Sequence, residues 1–78
     1  MEERLKLLIA EILELRVDDV AADMDRQRTP AWDSLNHLRL ITACESEFDV
    51  VLTMEEIAAI RTPQQLQEAI NSRGTGRG

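Results

Sequence analysis

Trp32-Asp33-Ser34-Leu35-Asn36 stands where an irregular stretch gives way to an amphipathic helical pattern. Asp and Ser are both strong N-cap residues, because their side-chain oxygens accept hydrogen bonds from the unpaired amides of a first helical turn. A helix is therefore expected to begin at Ser34, capped by Asp33 or by Ser34 itself, and to run to about Glu47. The helix dipole adds partial positive charge at that end, so a negatively charged group carried on the Ser34 hydroxyl is favoured there. At about 100° per residue, Leu38, Ile41, Cys44 and Phe48 gather on one side and are expected to face the core. Leu35, Arg39, Thr42 and Ser46 form a stripe pointing elsewhere, which leaves Leu35 exposed beside the serine as an anchor for a docking partner.

Towards the N-terminus, Leu5, Leu8, Ile9, Ile12 and Leu15 recur at three- and four-residue steps and define a first amphipathic helix. Residues 17–32 lose that period and contain Asp18, Asp19, Asp23, Asp25 and Pro30, so they read as a long connection with room for a short helical turn. Antiparallel neighbours need only a few linking residues, so this length suggests a crossover between helices pointing the same way. Beyond the second helix, Thr53-Met54-Glu55-Glu56 and Thr62-Pro63-Gln64-Gln65 each match a capping box, and Pro63 takes the first helical position, where its missing N–H costs nothing. Ile57 and Ile60 supply the buried side of a short third helix, Leu66, Ala69 and Ile70 that of a fourth, and Val50 and Leu52 pack beneath the loop between. From Ser72 onward, three glycines among polar residues have nothing to bury, so a disordered tail is expected. The sum is an all-α, small four-helix bundle with a long first loop and a short third helix, a domain over 1–72 followed by a tail over 73–78.

Composition bounds the function. Seventy-eight residues make one core, and with aromatics at 3% that core must be filled by Leu, Ile, Val and Ala. A net charge of −6 and a pI near 4.6 argue against nucleic acid and anionic membrane surfaces and favour basic protein partners. No apolar run approaches the roughly 20 residues of a membrane span and no signal segment opens the chain, so a cytoplasmic location is expected. Cys44 is the only cysteine and falls at a helical core position, where a thiol behaves as a small hydrophobe.

At its Asp33-Ser34-Leu35 triplet the chain resembles the acyl carrier protein family, whose phosphopantetheine-bearing serine opens the second helix. The resemblance extends over about residues 3 to 71. It includes the acidic Glu45-Ser46-Glu47-Phe48-Asp49 helix end, the short third helix and the Thr-Pro start of the fourth. It implies 4′-phosphopantetheine covalently attached to Ser34, flanked by Asp33 and Leu35, with an acyl or aminoacyl group held as a thioester on the cofactor thiol. The chain would then be a carrier, not an enzyme, and a monomer. Its partners would be a phosphopantetheinyl transferase and acyl-loading, acyl-transfer or condensing enzymes. The expected partner face is Leu35, Arg39, Thr42, Met54 and Glu55, and the expected acyl pocket Leu38, Ile41, Ile57 and Ile60. Two positions depart from the family pattern: Ala31 stands where a glycine is frequent, and Arg39 where carriers of fatty acid synthesis look acidic. These departures, with the start at Met1, favour a free-standing carrier for polyketide, nonribosomal peptide or modified-lipid assembly.

Other constellations carry less. A Ser34 that only caps its helix would belong to an interaction module that kept the fold without the cofactor. Asp33, Ser34 and His37 are the ingredients of a hydrolase, but their spacing on one helical turn offers no separate oxyanion donor. His37 is better read as a polar cover at the core edge, and Trp32 as a ring covering that edge. No metal site is expected: there is one histidine, and a calcium loop starting at Asp23 would have Arg28 at its glycine position and Ser34 at its glutamate position.

Overall fold

A computed structural model describes residues 1–75. Four helices, α1 (Glu3–Leu13), α2 (Ser34–Phe48), α3 (Met54–Ala59) and α4 (Pro63–Thr75), pack around one aliphatic core, and two 3₁₀ turns, Val17–Asp19 and Arg26–Arg28, interrupt the long first loop. Leu5, Ile9 and Leu13 of α1 meet Leu40, Ile41 and Cys44 of α2 and Leu66 and Ile70 of α4. Val20, Trp32, Val50, Leu52 and Ile60 enter the same core from the connections. The loop thus contributes packing as well as reach.

Local chemistry sets the helix ends. Asp33 accepts from the Asn36 amide at 2.8 Å to start α2. At α3, Thr53 and Glu56 exchange both bonds of a capping box. The α1 helix stops at Leu13, two residues before the last apolar position of its pattern, because Glu14 turns left-handed at φ 57° and Leu15 N–H reaches back to the Ala10 carbonyl. The α2 helix ends the same way, with Asp49 at φ 54° and Val50 N–H on Glu45 O. Both are Schellman closures built without glycine.

Three expectations need correction. The inward face of α2 is His37, Leu40, Ile41 and Cys44, with Phe48 half-buried, whereas Leu38 is 55% exposed. Apolar residues on both sides of the helix left its rotation open, and the polar contact of His37 with buried Trp32 settles it. Secondly, α1 and α2 run antiparallel. Arg4, at the start of α1, pairs with Glu47 at 3.5 Å and lies 4.7 Å over the Phe48 ring at the end of α2, while Ile12, near the end of α1, shares a shallow groove with Leu38, Arg39, Thr42 and Ala43. The long connection is therefore no crossover; its length is spent on core residues and on a wall of the site. Thirdly, the tail expected from Ser72 is helical as far as Thr75, and Arg73 pairs with Glu56 of α3. The last three residues, 76–78, lie outside the described residues.

The buried polar link of the molecule is a chain of two hydrogen bonds. Trp32 Nε1–H donates to His37 Nδ1 at 3.0 Å, and His37 Nε2 lies 2.8 Å from the Ile57 carbonyl oxygen. An indole N–H can only donate, so Nδ1 must accept, and Nε2 must carry the proton and donate to Ile57. The neutral ring in this one tautomer satisfies both neighbours. Burial pushes the His37 pKa below its ordinary 6.5; the Ile57 carbonyl opposes that depression and the Arg26 guanidinium adds to it.

Two predictions follow from this packing. Leu40→Ala should cost about 2–5 kcal/mol as a core cavity, against within about 0.5 kcal/mol for Leu38→Ala, in urea denaturation; equal costs would contradict the rotation of α2. A depressed folded pKa means that the unfolded chain binds more protons, so the stability from neutral His37 is complete above pH 6.5 and is lost as pH falls through the lower folded value. Carboxylates titrate mainly below about pH 5, and no second histidine exists. The unfolding midpoint should therefore drop between pH 6.5 and about 5 in the wild type and stay level there in His37→Gln.

Candidate functional site

Ser34 is the first residue of α2 and is exposed. Its placement follows from its neighbours: Trp32 is buried at 2% exposure and anchors the preceding turn, while Asp33 caps the helix. The Asn36 side chain donates back to Ala31 O at 2.8 Å, and Trp32 N–H closes on Thr29 O at 2.9 Å. The approach to the serine is thus held from both sides without the glycine common at position 31 in the family pattern. The Ser34 and Leu35 amides, at the positive end of a fifteen-residue helix, have no acceptor among the described residues.

Beside Ser34 opens a largely apolar groove of about 530 Å³. The α2 side is Ser34, His37 and Leu38, the α3 side Met54, Ile57 and Ala58, and Trp32 and Asp33 from the turn before α2 also line it. The second 3₁₀ turn supplies Arg26 and Gln27. That turn is fixed by Gln27 N–H on Asp25 Oδ1 at 2.8 Å, by Thr29 Oγ1 on Asp25 O at 2.8 Å, and by Arg26 N–H on Arg61 O at 2.8 Å, which ties it to the junction of α3 and α4. Of the expected pocket residues, Leu38 and Ile57 line this groove; Ile41 and Ile60 are buried in the core and are not part of the lining.

The expected partner face is exposed around the same point, with Leu35 at 66% and Met54 at 80% and with Arg39, Thr42 and Glu55 open to solvent. Arg39 Nη1 donates to Asn36 Oδ1 at 3.3 Å, so its charge lies along the outer side of α2 one turn from Ser34. Sequence reasoning missed Arg26, Gln27 and the groove role of Trp32. The Asp25 and Thr29 pair that folds the 3₁₀ turn was the available signal.

The geometry disposes of a hydrolytic site. Both nitrogens of His37 are committed to Trp32 and Ile57, so the ring has no nitrogen left to take a proton from Ser34. Asp33 accepts from a backbone amide and does not orient the imidazole. Cys44 is fully buried, and burial pushes its thiol up to about 12, with Glu45 and Glu47 adding to the rise, so it is no nucleophile.

Comparison with known proteins agrees with this arrangement. A family model described as the phosphopantetheine attachment site matches residues 3–70. The chain is 33% identical over 73 residues to the acyl carrier protein of Buchnera aphidicola from Acyrthosiphon pisum (strain 5A), covering 94% of this chain and 91% of that one. It is 29% identical to the acyl carrier protein of Buchnera aphidicola from Schizaphis graminum, with 94% and 92% covered. The holo acyl carrier protein of Geobacter metallireducens superposes with a TM-score of 0.83 at 16% identity, covering 96% of this chain and 86% of that one, which shows a shared fold. With a family match over most of its length and four helices, the second of which opens on an exposed serine, this chain belongs to the acyl carrier protein family of phosphopantetheine-bearing carriers.

Proposed function

We propose that Ser34 is the attachment serine and that the groove beside it receives part of the arm and its cargo. The supporting observation is the combination of an exposed hydroxyl, a capped helix start with two unpaired amides, and an adjoining apolar groove. When bound, 4′-phosphopantetheine supplies a terminal thiol that holds an acyl or aminoacyl group as a thioester. The chain's own residues attach and present it. Ser34 provides the ester oxygen, Asp33 fixes the helix start, and Leu38, Ile57, Met54 and Ala58 offer apolar cover to a carbon chain.

The partner face is Leu35, Arg39, Thr42, Met54 and Glu55, met by a transferase and by loading, transfer or condensing enzymes in the cytoplasm. Glu47 is paired with Arg4, and Glu45 accepts from the Leu52 amide at 2.9 Å, so the first three turns of α2 present Arg39 as their charged group. A cation there suits partners other than the basic surfaces that an acidic helix attracts. This supports a specialised polyketide, nonribosomal peptide or lipid pathway in preference to housekeeping fatty acid synthesis.

Co-expression with a promiscuous phosphopantetheinyl transferase should add the mass of one phosphopantetheine group to the wild type and nothing to Ser34→Ala. Because Cys44 is buried, the native holo protein should titrate one reactive thiol and the apo protein none. A wild type that gains no mass would instead make the chain an interaction module that kept the fold. Arg39→Glu should slow acyl transfer to native partner enzymes several-fold, and unchanged rates would move the docking surface elsewhere.

A further inference from the structure

Arg26 is the cation of the groove wall. It is half-buried, its backbone is pinned to Arg61 O, and its charge reaches His37, which lies one helical turn beyond Ser34. The chain carries fifteen acidic side chains, yet among the described residues no carboxylate lies within ion-pair distance of this guanidinium. The nearest acids in sequence or in the groove are engaged as caps: Asp25 accepts from the Gln27 amide and Asp33 from the Asn36 amide. A positive group is thus held, without a carboxylate partner, in the groove that Ser34 also lines.

We propose that Arg26 is the counter-charge for the phosphodiester on Ser34 and sets the arm along the groove towards α3. The inference rests on attachment at Ser34. A phosphodiester carries one negative charge at neutral pH, and Arg is the side chain best shaped to bind phosphate oxygens with paired N–H donors. Asp33 lines the same groove, but its carboxylate is engaged by the Asn36 amide at the helix start, which leaves Arg26 as the groove's unpaired charge among the described residues. Arg26 is half-buried, so the pairing should be less screened by salt than that of a fully exposed ion pair. Arg28, two residues on, is exposed and absent from the groove lining, which makes it the matched control.

The test converts isotope-labelled apo protein to holo with a purified promiscuous transferase and coenzyme A, with intact mass recording uptake. The Arg26 Nε–H signal should move on conversion, with its exchange with water slowed several-fold, while the Arg28 signal stays in place. The phosphorus resonance of the holo protein should shift in Arg26→Gln and hold in Arg28→Gln. An Arg26 signal unmoved in a fully converted wild type overturns the inference and leaves the attachment reading intact. Should Arg26→Gln resist conversion, the wild-type comparison decides alone. Absence of any mass gain overturns attachment and, with it, the role given to Arg26.

Discussion

Two hydrogen bonds through one imidazole hold the working end of this molecule together. Trp32 ends the long loop, His37 sits on the first turns of α2 and Ile57 lies on α3, so the ring joins the three segments around the serine. None of the three could be rearranged alone without stranding a buried donor or acceptor, at about 1–3 kcal/mol for each group left unpaired. The link matters most for α3. That helix has only six residues and buries none of them fully, so apolar packing alone gives it little purchase. Its position rests on the His37 bond, on half-buried Ile57 and on the Arg73 contact to Glu56.

Placement of α3 is also placement of the groove. Met54, Ile57 and Ala58 form one side of it, and Ser34, His37 and Leu38 the other. A carrier must expose its attachment atom to several enzymes in turn and still shelter a reactive cargo between visits. With attachment at Ser34 as proposed, an exposed serine on a rigid helix start, beside a cleft whose far wall is a short and lightly held helix, suits both demands. The antiparallel pairing of α1 and α2 leaves the long loop free to wrap this end, where its second 3₁₀ turn brings in Arg26 and Gln27.

Much of this was legible in the residues. The caps at Asp33, Thr53 and Thr62 are local chemistry, written within four residues, and their helices begin where those side chains place them. The exposed Ser34 and Leu35 and the buried Cys44 follow from the same register. What failed depended on distant partners. The rotation of α2 is decided by a histidine turned inward to meet a tryptophan from the loop; the sequence placed His37 at the core edge, but its hydropathy pattern also scored exposed Leu38 as an inward residue. The direction of α1 relative to α2 rests on Arg4 meeting Glu47 and Phe48, more than forty residues away, which loop length misjudged. The last turn of α4 holds despite Gly74 near the end of the chain, and the Arg73 bond to Glu56 across seventeen residues lies outside any local pattern.

His37 is neutral, with its proton on Nε2, and bridges the turn before Ser34 to α3. Heteronuclear nitrogen–proton NMR of the imidazole at neutral pH reads this directly. An unprotonated Nδ1 and a protonated Nε2 whose hydrogen is slow to exchange are expected. A proton on Nδ1, or a ring carrying both protons at neutral pH, would contradict that assignment.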